Sequence, residues 1–291
     1  MTAQSLPVVL LDGGTGREIQ DRGLARRGSI WSALALLEAP SVVSDVHQAF
    51  VDAGAEIIIT NNYSVVPSML DKEDLGDRFD ELTTMCGELA AEVRDLSERD
   101  VRVAGSLPPL NVSYQPSAVG PETENIELYR RIARNLAPYV DLFVCETMST
   151  GREARAAASA AGEYSKPVWV AWTLDRSANG CLRSGETVRE AFDLLADVRV
   201  DAFLFNCATP EAITTAMPLL RVLTDSPIGG YANAFGQTRA DGTATPLRED
   251  LSPEGYADIA LEWRALGANI LGGCCGISPG HIAVLAKRLN R

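Results

Sequence analysis

The sequence predicts a single-domain α/β fold over residues 1–291, a (β/α)8 TIM barrel, and three observations predict it. Eight short apolar runs recur along the chain, helical patterns fill the intervals, and the runs start about 37 residues apart, close to the βα unit of a barrel. With 46% hydrophobic residues in 291, the chain can bury one large core, and barrels of this length commonly form one domain.

The runs are Val8 to Leu11, Glu56 to Thr60, Arg102 to Ala104, Asp141 to Cys145, Val168 to Trp172, Ala202 to Phe205, Ile228 to Tyr231 and Asn269 to Leu271. Most are nearly continuous rather than alternating, as expected for parallel strands covered on both faces. A doubly wound open sheet is the alternative arrangement of the same units.

Between the first two runs, Val42, Val46, Ala49, Phe50 and Ala53 mark one helical face, with Ser41 as the expected N-cap and Gly54 just past the end. Thr209-Pro210-Glu211, Ser252-Pro253-Glu254 and Ser278-Pro279 each read as a cap followed by a first-turn proline. The Pro/Gly-rich stretches Leu107 to Pro121 and Asn233 to Pro246 follow strands and are loop-sized, so they predict active-site loops rather than linkers.

A net charge of −13 repels phosphate backbones, and no basic patch offsets it, so no nucleic-acid partner is expected. The opening residues Met1 to Pro7 lack a basic leader pattern, and no stretch approaches 18 apolar residues. No membrane partner is expected, and the reading is a cytoplasmic protein. The barrel exterior carries no pattern from which an oligomeric state is read.

In a barrel the chemistry sits at the C-terminal ends of the strands. The polar residues closing the runs are Asp12, Thr60, Asn61, Ser106, Glu146, Thr147, Asn206, Cys207, Asn233, Cys274 and Cys275. All would line one mouth.

Within this set Gly272-Gly273-Cys274-Cys275-Gly276 is the most specific feature. Neighbouring side chains on a regular strand point to opposite faces, so both sulfurs converge only if the flanking glycines allow a bulge or a left-handed turn. With Cys207 they make three thiolates and one open position, the description of a catalytic zinc site. A vicinal disulfide, or two small buried hydrophobes, is the alternative for the adjacent pair.

The other three of the six cysteines read differently. Cys86 lies in a helical pattern and Cys145 faces away from Glu146, so both read as core. Cys181, in the loop after the fifth run, reads as a fourth ligand or an exposed thiol. His47 and His281 fall on helices and read as packing or solvent-facing residues.

Three thiolates weaken a zinc ion's Lewis acidity but suit delivery of a nucleophile. A free alkyl thiol with a pKa near ~8.5 is mostly protonated at neutral pH, and direct binding to zinc removes that limit.

Leu11-Asp12-Gly13-Gly14-Thr15-Gly16, Thr60-Asn61-Asn62-Tyr63, Cys145-Glu146-Thr147, Phe205-Asn206-Cys207 and Gly272-Gly273-Cys274-Cys275-Gly276 together resemble the homocysteine S-methyltransferase family, in family order across nearly the whole chain. The resemblance implies a barrel, Zn2+ held by Cys207, Cys274 and Cys275, and homocysteine as the thiol that a small methyl donor converts to methionine. It also implies that Asp12 and Glu146 receive the homocysteine ammonium, that the backbone at Gly13 accepts its carboxylate, and that Thr60, Asn61 and Asn206 orient the substrate or its surroundings. Read alone, Asp12-Gly13-Gly14 is also compatible with a tight βα turn, or a phosphate-loop echo lacking its lysine, and Glu146 with a salt-bridge partner.

Two departures leave the donor unassigned. The segment Gly105 to Asn111 lacks the shorter glycine-proline form of S-methylmethionine enzymes, and Tyr231 to Phe235 is divergent. S-methylmethionine, S-adenosylmethionine and a thetin or betaine all stay open. Trp172, Tyr63 and Tyr114 offer aromatic faces to an onium group, or pack in the core and loops. Two further readings are the homocysteine half of a corrinoid-dependent system and a non-catalytic zinc- or thiol-binding barrel.

Overall fold

The computed structural model describes residues 7–24, 30, 32–235 and 247–291. Residues 1–6 of the opening segment and 236–246 of the loop after the seventh run lie outside the described residues.

Eight strands form: β1 (Val9–Leu10), β2 (Ile57–Ile59), β3 (Arg102–Leu107), β4 (Leu142–Met148), β5 (Val168–Trp172), β6 (Ala202–Asn206), β7 (Ile228–Ala232) and β8 (Ile270–Gly273). They pair in the order β1-β8-β7-β6-β5-β4-β3-β2, and every pairing is parallel. A parallel bridge between Leu11 and Ile57 joins the two outer strands, so the sheet forms a nearly closed (β/α)8 barrel rather than an open one. Every predicted run becomes a strand. β3, β4 and β8 extend past their apolar runs to Leu107, Met148 and Gly273.

The seam between β1 and β2 is held partly by side chains. The Leu10 amide donates to Glu56 Oε2 at 2.9 Å, and the Ile59 amide donates to Asp12 Oδ2 at 2.8 Å. Backbone bonds from Glu56 to Leu10 and from Asp12 to Ile57, 2.8 and 3.0 Å long, complete it. The Glu56 contact repeats around the ring, where the Val103 and Val168 amides donate to the Asp141 and Asp201 carboxylates, whereas the Asp12 carboxylate belongs to the mouth.

Two apolar layers follow from strand alternation. Leu11, Ile57, Ala104, Val144, Leu204 and Ile270 point into the barrel. Leu10, Ile58, Val103, Phe143, Val170, Phe205 and Leu271 point outward, into the layer shared with the helices. Burial of Phe- and Leu-sized side chains in that second layer contributes about 2 kcal/mol each.

The helix starts follow the marked caps. Thr209 and Ser252 accept from the Ala212 and Gly255 amides at 3.3 and 3.2 Å, and each is followed by a first-turn proline. The helix Pro40–Asp52 starts earlier than predicted, with Ala39 at the N-cap and Ser41 inside the first turn, because Pro40 is pre-set for that turn. Among the described residues no helix is long and apolar enough to cross a membrane.

Candidate active site

A cavity of about 560 Å3 opens at the C-terminal ends of the strands. Of the predicted mouth residues, Asp12, Thr60, Asn61, Glu146, Cys207, Cys274 and Cys275 line it. Ser106, Asn206 and Asn233 stand behind them and hold them in place, and Asn206 also holds Thr147, as the hydrogen bonds below describe.

The three thiols come together from two strand ends. Cys274 Sγ lies 2.9 Å from Cys207 Sγ and 4.0 Å from Cys275 Sγ, and all three sulfurs lie within 4.8 Å of one another. Thiolates ~2.3 Å from one tetrahedral zinc stand ~3.8 Å apart, a value inside the observed spread. Cys274 and Cys275 open a turn closed by the Ile277 amide donating to the Cys274 carbonyl at 3.0 Å. Gly276 sits in that turn at φ 87°, a conformation that glycine adopts without a Cβ clash.

Cys207 turns by a different route. It adopts φ 50° itself, a region costly for a side-chain-bearing residue and enriched at functional sites. Its carbonyl accepts from Asn233 Nδ2 at 2.9 Å, and its amide donates to the Tyr231 carbonyl at 3.1 Å. Tyr256 ties the ends of β7 and β8 together beneath the pair, accepting from the Ala232 amide and donating to the Gly272 carbonyl.

Within the cluster Cys275 is held well below the ordinary thiol range because Cys207 and Cys274 hydrogen-bond to it, whereas Cys274 is pushed up by the same crowding. A set of three soft sulfurs that crowd one another's charge suits a thiophilic divalent cation.

Asp12 and Glu146 face the same cavity. Glu146 is buried and sits where the register between β4 and β5 shifts, so an irregularity in the strand carries it. Its Oε1 accepts from Ser106 Oγ at 2.6 Å, and its Oε2 from the Tyr231 hydroxyl at 3.3 Å and Asn206 Nδ2 at 3.5 Å. Asn206 also locks Thr147, accepting from its amide at 2.8 Å and donating to its Oγ1 at 2.9 Å, while Thr147 itself takes φ 60°.

Burial pushes the Glu146 carboxyl up to about 7 against the hydrogen bond from Ser106, and the thiol of Cys207 adds to the push. Burial also raises Asp12 well above the carboxylate range against the hydrogen bond from Ile59, with Glu146 a further cause. Two carboxyls strained in this way gain from any cation placed between them.

The remaining predicted residues separate clearly. At Gly13 a Cβ would stand 2.3 Å from the Ile277 carbonyl oxygen, so only glycine lets the β1 turn pass the β8 turn here. Thr60 donates to Asn62 Oδ1 at 2.6 Å and accepts from the Ser106 amide at 3.0 Å, and Asn61 donates to the Ser32 carbonyl at 3.1 Å. Tyr63 and Tyr114 line the cavity, and the Tyr114 hydroxyl lies 2.9 Å from Cys207 Sγ.

Trp172 does not line it. The end of β5 turns this side chain outward, where it stacks on Phe203 at 5.8 Å in the helix-facing layer, which removes it as an aromatic face for an onium group. Cys181 pairs in a short antiparallel bridge with Thr187 and lies outside the sulfur cluster, while Cys86 and Cys145 are core residues.

His281 is a structural link, with Nδ1 on the Ser278 amide and Nε2 on the Leu251 carbonyl. His47 is fully buried with both ring nitrogens unpartnered among the described residues, and burial lowers it to about 4.

Sequence reasoning placed Ser113 and Phe235 in active-site loops, where they line the cavity, but missed Tyr231 as a partner of Glu146 and missed Arg17 and Met69 in the lining. A signal existed for Tyr231: a tyrosine ending an apolar strand needs a partner for its hydroxyl. The others sit on helices and carry no such pattern.

The homocysteine S-methyltransferase family profile matches residues 9–289. The chain is 30% identical over 297 residues to the homocysteine S-methyltransferase of Escherichia coli (strain K12), covering 97% of this chain and 95% of that protein. It is 27% identical over 314 residues to the selenocysteine methyltransferase of Astragalus bisulcatus, covering 97% and 92%. The crystal structure of the homocysteine methyltransferase MmuM from Escherichia coli in its metallated form matches with a TM-score of 0.84 at 29% identity, over 98% of this chain and 97% of that one. With the barrel, the clustered thiols and the whole-length match agreeing, this chain belongs to the homocysteine S-methyltransferase family.

Proposed function

We propose that this protein is a zinc-dependent methyltransferase that moves a methyl group from a sulfonium or betaine-type donor to homocysteine, giving methionine. One observation carries the reading: three thiols within 4.8 Å of one another share a cavity with two buried carboxyls whose ionised forms meet no counter-charge among the described residues. Such a site fits a soft divalent cation beside an ammonium group.

Cys207, Cys274 and Cys275 would hold the zinc, and their sulfur chemistry fits it. When bound, the ion supplies a deprotonated, nucleophilic substrate sulfur at neutral pH. The chain's own residues then orient the substrate. Glu146, braced by Ser106 and Tyr231, and Asp12, braced by the Ile59 amide, take the ammonium. The backbone at Gly13 receives the carboxylate, and Thr60, Asn61 and Asn206 fix the surrounding wall. Tyr63 and Tyr114 present aromatic surface to the onium methyl group, favourable by about 0.5–2 kcal/mol.

The whole chain acts as one domain, and three crowded free thiols suit the reducing cytoplasm. The Astragalus relative, named for a selenol substrate, supports chemistry in which a soft nucleophile is methylated.

A donor screen with homocysteine tests the reading, using S-methylmethionine, S-adenosylmethionine, dimethylsulfonioacetate and betaine. Methionine is expected with at least one, and formation with none overturns the proposal. Cys274→Ala is expected to lose bound zinc; full retention overturns the proposed ligand set.

A further inference from the structure

On the reading just given, donors of the sulfonium and betaine class carry a carboxylate as well as a cationic centre. The cavity receives an anion poorly. Asp12, Glu146 and three thiols line it, and Arg17, the one guanidinium among the described lining residues, is engaged by Asp21 at 2.9 Å. A carboxylate entering such a space meets desolvation and like-charge repulsion unless a cation receives it.

Arg183 offers that cation. It lies on the loop after β5, where its amide donates to the Thr173 carbonyl at 3.3 Å beside the Leu174–Leu182 bridge. Its Cζ stands 5.0 Å from the centroid of the Tyr114 ring, and the Tyr114 hydroxyl is 2.9 Å from Cys207 Sγ. One aromatic ring therefore separates the guanidinium from the thiol cluster.

Arg183 Nε is buried without a hydrogen-bond partner among the described residues. Asp175, an acid on the same loop, is taken by Ser177, whose amide and hydroxyl donate to its Oδ1 at 2.9 and 2.5 Å. Arg176 adds positive charge to this rim. A chain with a net charge of −13 thus keeps, behind Tyr114 and one ring away from its clustered sulfurs, a partly buried guanidinium that Asp175 balances only through space, without a hydrogen bond between them. A buried donor left unmade is costly, which points to a partner that arrives from outside.

We propose that Arg183, laid on the Tyr114 ring, receives the carboxylate of the methyl donor and so selects donors that carry a carboxylate a few bonds from the onium centre. The guanidinium fork matches a carboxylate bidentately, and stacking on the ring holds the fork in place before the donor arrives. Arg183 is in this sense a specificity residue for the reaction proposed above.

The test uses the zinc-loaded protein, homocysteine and two probe pairs that differ only at the carboxylate: S-methylmethionine and dimethylsulfonioacetate, each against its carboxamide. The wild type is expected to prefer the acid of an active pair by roughly 10- to 100-fold in kcat/KM. Arg183→Gln is expected to erase that preference while leaving zinc content and the homocysteine KM unchanged, and Arg183→Lys to restore part of it. A wild type indifferent to the carboxylate, or a preference that survives Arg183→Gln, overturns the inference. Absence of turnover by the wild type with every donor overturns the underlying functional reading instead, and that result is visible before any variant is made.

Discussion

The two walls of the cavity are built by different means. On the acceptor wall Asp12, Glu146, Cys207 and Cys274-Cys275 sit on strands or in the turns that end them, braced by buried hydrogen bonds from Ile59, Ser106, Tyr231 and Asn233. A second part of the lining, Tyr63, Ser113, Tyr114 and Phe235, comes from loops, and the Tyr114 hydroxyl meets the first at Cys207 Sγ. On the proposed function, the contrast implies that this barrel would fix the nucleophile on its strand ends and leave recognition of the second substrate to loop segments that can change without disturbing the ring.

Variants can break or sharpen that contrast, and their expected effects fall in order. If Glu146 receives the ammonium as proposed, Glu146→Ala should raise the homocysteine KM by roughly 30-fold or more, the equivalent of about 2 kcal/mol, with the donor KM unchanged. Steady-state kinetics in both substrates decides it, and an equal rise in both KM values would erase the division between walls. Ser106→Ala takes away one brace of Glu146, and a smaller rise in the homocysteine KM of about 10-fold is expected; no rise would mean that Tyr231 and Asn206 suffice to hold the carboxylate.

His47→Leu serves as the control outside the cavity and should leave kcat and both KM values alone. Its effect belongs to stability. Because burial holds His47 at about 4, the unfolded chain binds a proton between that value and ~6.5 that the folded chain does not. The stability present above ~6.5 therefore declines as pH falls toward about 4, and the wild type should lose about 2 kcal/mol between pH 8 and pH 5 through this group. Denaturant midpoints at the two pH values should differ less for His47→Leu than for the wild type.

The acceptor wall was legible in the sequence because rare residue types stand at predictable places. Adjacent cysteines amid glycines, and an acid closing an apolar run, carry information that strand periodicity then locates. The backbone route to convergence was legible only in part: Gly276 supplies the expected left-handed turn, but Cys207 and Thr147 adopt that region without being glycine, which no propensity announces. Trp172 illustrates a further limit, since a residue at the end of a fully buried strand gives no sign of which layer it enters. The braces Ser106 and Asn233 were visible as mouth residues, but what they hold is a matter of tertiary distance. Ser41 shows a local conflict, where Pro40 set the start of the helix ahead of the better capping side chain.

Asp12 gives the seam of the ring a second meaning. The same carboxylate that faces the cavity accepts the Ile59 amide across the junction of the first and last-closed strands. On the proposed function, an arriving ammonium would compete for an oxygen of the carboxylate that bridges the seam between β1 and β2. On that reading, filling the pocket and bracing the seam would share one carboxylate, so hydrogen exchange at the Ile59 amide would report occupancy of the pocket.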